Sequence, residues 1–300
     1  MEKEEIENLK KAGKIIAQVR EEFRSKITSG MHLLEIASKI ESRIIELGAK
    51  PAFPVNLSIN EIAAHATPSH DSTETASGLL KVDLGCHISG FCADTAFTIN
   101  LSDNKKESEE NKNLIEAAES ALSSALKKIN SSTSISQIGS IISETVESKD
   151  VIAIKNLSGH SIEQYNLHSG ITVPNFDNSS PLTFEEGVYA IEPFTTLSSG
   201  SGIVKEGKPS GIYHLEKEGS VRDSKARSVL KFIIDEYQTL PFCSRWIYNK
   251  FGSRGLLSLR QIESSGLLHH YKQLIESSNK KVAQAEHTLI VTENEIIVTT

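Results

Sequence analysis

Two aspartates in a predicted β-hairpin are the first residues whose type and spacing could support chemistry. The turn-prone pair Ser89-Gly90 separates two strand-like segments, LLKVDLGCHI and FCADTAFTI. A turn at this pair makes Asp83 and Asp94 diagonal neighbours on one face, and a turn one residue earlier places them directly opposite each other. In either register, two buried carboxylates this close need a cation or a shared proton. A one-residue change of register would instead send one aspartate to the surface.

Two glutamates and three histidines are further candidate ligands. Glu192 in YAIEPF and Glu286 in AQAEHTLIV interrupt apolar strands, where an unpaired carboxylate would be costly. His160 and His168 lie eight residues apart in the segment NLSGHSIEQYNLHSG, and His65 precedes a Pro-Ser turn. Each of these residues alone is better explained by packing or surface exposure. Together they place four acids and three histidines on short apolar strands or adjoining loops, which favours metal binding or acid–base chemistry.

A two-metal hydrolase site accounts for all of these residues. Two cations about 3.5–4 Å apart require bridging carboxylates, terminal ligands and a bridging water. Four carboxylates and one imidazole form a mainly oxygen set, which suits Mn, Fe or Co better than a thiolate-rich zinc site would. The three cysteines lack CxxC spacing and are odd in number, so they indicate neither a thiolate zinc site nor a disulfide framework. They favour a reducing compartment.

Amphipathic helices and short strands must position these side chains. Periodicity predicts helices over about 3–23, from Gly30 to a stop at Gly48, over about 107–129, and after the run NSSTS. Strands are predicted in the hairpin, in GVYAIEPF, and twice in EHTLIVTENEIIVTT. The apolar positions of the second and fourth helices differ by 102 residues, which indicates either an internal duplication or a chance alignment of two amphipathic helices. These positions are Leu33, Ile36, Ile40 and Ile44, and Ile135, Ile138, Ile142 and Val146.

The bulk composition excludes several classes of protein. The 300 residues are 38% hydrophobic, which suits a packed core, and the net charge of −7 gives no reason to expect nucleic acid as the main partner. The charged segment MEKEEIENLKKAGK contains no apolar run that could serve as a signal peptide. No stretch approaches the roughly 18 apolar residues of a membrane span. We therefore expect a cytoplasmic protein with no membrane segment.

The segment 221–281 has a different character from the rest of the chain. It holds 11 Lys/Arg against 5 Asp/Glu, and its pattern predicts three helices, over about 221–236, 243–250 and 255–265. The following segment GLLHHYKQL leads into something less regular. Helices of this size with a trailing ribbon are similar to a winged-helix module that could bind nucleic acid. A solvated helical insertion is the favoured interpretation, because no recognition helix stands out.

In combination, these motifs resemble those of the methionine aminopeptidases. The resemblance covers nearly the whole chain, and PAFPVNLSINEIAAHATP is similar to the family segment that carries a functional histidine. A helical insertion between the last two acids is typical of the type II enzymes, and RWIYNKFGSRGLLSLRQIESSGLL resembles it in its archaeal-like form. The motifs that match the family's metal ligands are VDLG with Asp83, CADTAF with Asp94, NLSGH with His160, AIEPF with Glu192 and AEHT with Glu286.

The resemblance implies an α/β (α+β) architecture, the pita-bread fold. This fold has two pseudo-symmetric halves, each with outer helices and an inner antiparallel sheet. The implied division is a catalytic domain over 1–202 and 276–300, with a winged-helix-like helical subdomain inserted at 203–275. The chain is expected to be a monomer.

The resemblance also implies roles for individual residues. Asp94 and Glu286 would bridge two divalent ions (Co, Mn, Fe or Zn), with Asp83 on one ion and His160 and Glu192 on the other. A water activated by these ions would hydrolyse the bond after an N-terminal methionine, with preference for a small second residue. The residues implied in substrate contact are His65 and His168, which would donate hydrogen bonds and stabilise the oxyanion, and the pocket residues Phe53, Leu167 and Tyr271.

The implied substrates are the N-termini of nascent polypeptides, and the resemblance implies association with the ribosome. Neither a membrane nor a specific nucleic acid is expected as a partner. Two alternatives share the scaffold. Proline-specific exopeptidases carry the same five ligands, but they usually have an extra N-terminal domain and lack the insertion. Non-enzymatic binding proteins of this fold have lost ligands, whereas all five are present here. The sequence departs from the family pattern at Ser169, where alanine is expected, at Ala66, where tyrosine is common, and over 200–219.

Overall fold

The computed structural model describes residues 1–130 and 132–300. In this part of the chain the helices begin and end close to their predicted positions, because their apolar stripes face the core. Gly48, with φ of 85°, ends the second helix in a left-handed conformation, as predicted. Ser134 caps the fourth helix by accepting a hydrogen bond from the backbone of Gln137. The helices are α1 (Lys3–Arg24), α2 (Leu33–Glu46), α3 (Lys105–Leu126), α4 (Ile135–Glu147), α5 (Ser224–Tyr237) and α6 (Ser244–Ser264).

The strands form three sheets in which every described pairing is antiparallel. The largest has the order β1-β4-β5-β15-β9-β7-β8, with β2 beside β4 and β16 beside β15; the others have the orders β14-β10-β6 and β12-β11-β13-β3. The strands are β1 (Lys50–Pro51), β2 (Asn56–Ile59), β3 (Ile62–Ala64), β4 (Gly78–Ile88), β5 (Phe91–Leu101), β6 (Val151–Ala153), β7 (Ser158–Ile162), β8 (Thr172–Pro174), β9 (Gly187–Ile191), β10 (Phe194–Leu197), β11 (Val204–Leu215), β12 (Phe242–Cys243), β13 (Leu268–Glu276), β14 (Val282–Gln284), β15 (Glu286–Val291) and β16 (Ile296–Val298).

The β4–β5 hairpin adopts the later of the two predicted turns. Ile88 is paired with Phe91, so Ser89 and Gly90 form the two-residue loop, with φ of 50° and 86°. Positive φ at both loop residues is typical of the tight turns that match the twist of a hairpin. The two aspartates of the hairpin are therefore diagonal neighbours on one face.

The two predicted halves are present, each with a pair of helices outside the large sheet. The helices α1 and α2 pack on one apolar cluster with β4 and β5, and α3 and α4 pack on a second cluster with residues of β9 and β15. His32, the residue before α2, forms an isolated β-bridge with Thr75. Ser134, the equivalent residue before α4, forms an isolated β-bridge with Thr183. A short strand follows each helix, β1 after α2 and β6 after α4. These equivalences confirm the pita-bread arrangement and favour duplication over chance for the 102-residue offset.

The region between β11 and β13 follows its prediction in part. The helix α6 consists of two helical segments joined at Gly252, whose backbone is non-helical (φ 63°, ψ −159°), so the two helices predicted over 243–250 and 255–265 are both present. Residues of GLLHHYKQL, which was expected to lead into something less regular, belong instead to β13, which pairs with β11 along a ribbon that starts with Val204 opposite Glu276. An apolar cluster of its own lies in this region, built from residues between Tyr213 and Leu268. Across residues 1–130 and 132–300, no helix has both the length and the apolar character needed to cross a bilayer.

Candidate metal centre

Two adjacent rows of side chains across the large sheet bring the candidate acids together. In the first row the backbone register pairs Asn56 with Asp83, Asp83 with Ala96, and Ala96 with Glu286. Strands lie about 4.8 Å apart in a sheet, so the row carries two acids separated by one alanine. Glu192 directly follows Ile191, the last residue of β9, and so lies at the edge of the same row.

The second row lies two residues further along the strands and so faces the same side of the sheet. Asp94 is paired with Gly85, and its backbone N–H donates to Thr288 Oγ1 at 2.8 Å on β15. Thr288 is paired with Ala190, and Ala190 with His160 on β7. The second row therefore has an acid near one end and an imidazole at the other, with small residues between them.

The small residues leave room for the longer side chains to converge. His160 Nε2 lies 3.9 Å from Asp94 Oδ2 and 3.8 Å from Glu192 Oε1. One potential ligand atom from each of Asp94, His160 and Glu286 lies within 4.8 Å of the other two. Donor atoms at these separations surround a space of the size that a cation occupies.

Burial makes the ionised form of all four acids costly. Desolvation raises the pKa of Asp83 to about 7, although a hydrogen bond from Gln284 opposes the shift. The pKa values of Asp94, Glu192 and Glu286 are raised well above the usual range, first by desolvation and then by the neighbouring carboxylates. Without a cation, the site would hold extra protons at neutral pH.

The unpartnered atoms of the site fit a bound cation. Among residues 1–130 and 132–300, three buried oxygens of the cluster accept no hydrogen bond: Asp83 Oδ1, Asp94 Oδ1 and Glu286 Oε1. Burial lowers the pKa of His160 to about 4, so this imidazole is neutral at pH 7 and has a lone pair to offer a metal. The residues therefore fit a divalent ion that prefers oxygen ligands with some nitrogen.

Gln284 supports the acids and was missed in the sequence analysis. It is 2% exposed, and its Nε2 donates to Glu192 Oε2 at 3.3 Å as well as supporting Asp83. Its spacing was the available signal, since it precedes Glu286 by two residues and so shares its face in an extended chain.

A cavity of about 250 Å³ opens above the two rows. His65 has an unusual backbone φ of 58°, and its ring centroid lies 5.1 Å from that of Tyr271. Its Nδ1 lies 3.2 Å from the carbonyl oxygen of Lys272. The His168 ring lies 4.3 Å from the His160 ring. Desolvation lowers the pKa of both His65 and His168, so both imidazoles are neutral at pH 7.

The three predicted pocket residues Phe53, Leu167 and Tyr271 border this cavity. Phe53 can lie over the hairpin because residue 85 is glycine. A Cβ atom at Gly85 would be 2.4 Å from Phe53 Cε1, which is too close for the ring to keep its position. The poorly matching segment 200–219 contains the whole of β11 and adds Ile212 to the wall. The other bordering residues that sequence reasoning missed are Asn56, Ala64, Asn156, Leu157, Ser158, Phe194, Pro241 and Leu274.

The model of metallopeptidase family M24 matches residues 7–293. The chain is 45% identical over 301 residues to a methionine aminopeptidase of Pyrococcus abyssi (strain GE5 / Orsay), with 99% of both chains covered. A solved thermophilic Arx1 aligns with a TM-score of 0.81 at 15% identity, covering 100% of this chain and 91% of that one. A solved methionine aminopeptidase of Thermotoga maritima aligns with a TM-score of 0.71 at 22% identity, covering 100% of this chain and 98% of that one.

The two solved structures share the fold, and at these identities they indicate nothing more. The family match spans almost all of the sequence, and it includes every acid and histidine that the two rows bring to the cavity. The family match and the 45% identity to the Pyrococcus abyssi relative show that the chain belongs to metallopeptidase family M24.

Proposed function

We propose that this chain is a metal-dependent aminopeptidase that hydrolyses the N-terminal methionine from polypeptides. The observation that carries the proposal is the convergence of Asp94, His160 and Glu286 at the base of a cavity with an apolar wall. Full-length similarity to a relative named methionine aminopeptidase supports the substrate class.

The proposed centre holds two divalent ions, of Co, Mn, Fe or Zn. Asp94 and Glu286 would be shared by the ions, because they occupy neighbouring strands in the middle of the site. Asp83 would complete one end, and His160 with Glu192 the other. When bound, such ions supply Lewis acidity and lower the pKa of water so that it can act as a nucleophile at neutral pH.

The two histidines would contact the scissile peptide group in different ways. The Lys272 carbonyl can only accept a hydrogen bond, so His65 Nδ1 carries the proton and donates to it. In the neutral ring, Nε2 of His65 is then an acceptor suited to a substrate N–H. His168, which is also neutral, remains the candidate donor to the carbonyl oxygen as negative charge develops there. The family resemblance implies that both histidines donate; the present proposal keeps that role for His168 and assigns an accepting role to His65 Nε2.

The apolar wall provides selectivity at the first residue. Phe53, Leu167 and Tyr271 enclose a space suited to an unbranched thioether side chain. Crowding near His65 and Tyr271 would restrict the second residue to small side chains.

The proposed substrates are the N-termini of nascent polypeptides in the cytoplasm. The proposed enzyme would act on these chain ends beside the ribosome. Three free, buried cysteines among the described residues fit a reducing compartment: Cys86, Cys92 and Cys243. All the residues assigned to the site belong to one chain, so a monomer would suffice. We further propose that 203–275 is an inserted subdomain within a catalytic domain made of 1–202 and 276–300.

Peptide hydrolysis by purified protein tests this function directly. After treatment with chelator and removal of the chelate, the protein should release methionine from Met-Ala-Ser and Met-Pro peptides only when divalent metal is restored. Hydrolysis of Ala-Pro dipeptides without release of methionine would favour a proline-specific exopeptidase. Absence of hydrolysis by protein that elemental analysis shows to be metal-loaded would favour a non-enzymatic binding protein.

A further inference from the structure

Asn56 borders the cavity and has a buried amide oxygen that lacks a donor in the described part of the chain. The residue lies at the start of β2, is 5% exposed and borders the cavity. Within residues 1–130 and 132–300, its Oδ1 atom is buried and has no hydrogen-bond partner. A buried amide oxygen without a donor destabilises a protein unless water or a ligand supplies one.

The amide nitrogen of Asn56 sets the orientation of the amide group. Nδ2 donates to the carbonyl oxygen of Pro54 at 3.0 Å. Rotating the amide by half a turn would bring two oxygens together, because a carbonyl oxygen can only accept. The hydrogen bond therefore leaves Oδ1 as the free atom.

The neighbour of Asn56 in the row makes the missing donor more specific. Asp83, assigned above to the metal centre, is paired with Asn56 in the backbone register. A donor bound to the Asn56 oxygen would therefore lie beside a carboxylate, which favours a group that can carry positive charge. A primary amino group is such a donor, and the substrates of an aminopeptidase carry one at their reactive end.

We propose that Asn56 Oδ1 accepts a hydrogen bond from the α-amino group of the substrate and holds that group beside Asp83. The proposal rests on the proposed aminopeptidase function and adds a substrate-contacting residue to it. The contact would fix the distance from the amino group to the scissile bond. It would also disfavour acylated chain ends, which offer one N–H and a bulky acyl group.

A pair of inhibitors separates amine recognition from general damage to the site. Methioninol carries the amino group, and 4-(methylthio)butan-1-ol has the same chain without it. In Asn56→Ala, the inhibition constant of methioninol should rise about tenfold, the loss of roughly 1.4 kcal/mol expected for one hydrogen bond. The constant of the deamino alcohol should change less than about twofold, and the KM for Met-Ala-Ser should rise more than kcat falls.

Two further variants complete the test. Ser58→Ala removes another buried, unpartnered oxygen from the same strand, away from the cavity, and should leave both inhibition constants unchanged. Asn56→Gln keeps an amide donor for the Pro54 carbonyl but displaces the acceptor by one methylene group, so it should weaken methioninol more than the deamino alcohol even if the alanine variant does not fold.

Several outcomes would overturn the proposal. These are an equal loss of affinity for both inhibitors, an unchanged methioninol constant, and a fall in bound metal in Asn56→Ala, which would make the amide a metal ligand. An active wild-type enzyme with any of these results rejects the amine contact alone. A metal-loaded wild type that releases no methionine rejects the proposed function itself.

Discussion

Glu286 is paired with Ala96 across β15 and β5, and Asp94 lies two residues before Ala96, so the two carboxylates are diagonal neighbours on one face of the sheet. Desolvation and the neighbouring acids raise the pKa values of both. Because both occupy central strands of the site, they are the two acids proposed above to be shared between the metal ions. The predictions below begin with this pair.

Asp94→Asn and Glu286→Gln should each lower kcat/KM by more than the roughly 10–100-fold typical of losing an outer-shell partner of a metal site. Each should also lower the bound metal, measured by elemental analysis, by at least one ion. Folding should survive, because each change relieves repulsion between buried carboxylates. Near-normal turnover in either variant would mean that the bridging role belongs elsewhere.

The metal-free protein should become less stable as pH rises from about 6.5 to about 8. The folded-state pKa of Asp83 is about 7 against an ordinary value of 3.8, so this carboxyl holds more protons in the folded state than in the unfolded state in this range. The range begins at about 6.5 because the buried histidines, whose pKa values are lowered, oppose the trend below it. Stability then falls with increasing pH, and this dependence ends above the folded-state pKa. Thermal unfolding in chelator across this range should show the decline. Added divalent metal should raise the melting temperature most at the alkaline end, and a flat profile in chelator would contradict the assignment.

His168→Ala should lower kcat more than it raises KM for Met-Ala-Ser, since a donor to a developing oxyanion acts mainly in the transition state. The expected loss is about 100–1000-fold in kcat, as for other oxyanion donors. His65→Ala provides the comparison at the other cavity histidine proposed to contact the substrate, with an effect divided between kcat and KM. An effect of His168→Ala confined to KM would make it a binding residue only.

A buried ion pair between α2 and α6 should contribute strongly to stability. Arg245 Nη1 and Nη2 donate to Glu41 Oε2 and Oε1 at 2.7 and 2.8 Å, and Arg245 is 2% exposed. The same carboxylate accepts hydrogen bonds from Trp246 Nε1 and the backbone N–H of Val55, at 2.9 and 3.3 Å. Arg245 Nε donates to the carbonyl of Pro68, so the pair also holds the chain on both sides of His65.

Glu41→Ala should therefore reduce the free energy of unfolding by about 3–5 kcal/mol, because it leaves a buried guanidinium without its partner. Glu41→Ala combined with Arg245→Met should recover part of the loss, since no uncompensated charge remains. Urea unfolding of the two single variants and the double variant measures this coupling. Additive losses would show that the pair does not act as a unit.

Tyr271→Ala should raise KM for Met-Ala-Ser and allow leucine or phenylalanine at the first position, because it opens one wall of the cavity. Tyr271→Phe keeps the ring and should retain the selectivity. If the positive charge of 221–281 served nucleic acid instead, binding would weaken steeply with added salt. Unchanged peptide kinetics in Tyr271→Ala together with such salt-sensitive binding would favour that alternative.

Local signals were sufficient to predict the helices, the hairpin and the acids. The turn at Ser89-Gly90 could be recognised from residues that are close together in the sequence. Glu192 and Glu286 are conspicuous because charged residues are rare inside apolar strands. The position of β15 between β5 and β9 could not be derived this way, because partners in a sheet are chosen across long stretches of chain.

Neutral residues and irregular strands were harder to predict. Gln284 and Asn56 carry no charge, so no costly burial marks them in the sequence; only the two-residue spacing from Glu286 pointed to Gln284. The strand β11 escaped notice because its pairing shifts register on both sides of Pro209, which breaks the alternation of buried and exposed residues. GLLHHYKQL was misjudged because its partner strand was itself unrecognised.

The first pair of the β11–β13 ribbon is Val204 and Glu276, and it lies at the two proposed boundaries of the inserted subdomain. Segments whose two ends are neighbours can be gained, lost or exchanged with little disturbance to the surrounding protein. Evolution could thus have added the whole region in one genetic event. The same junction offers protein engineers a graft site, where a foreign domain with closely spaced termini would stand beside the mouth of the cavity and alter which chain ends reach it.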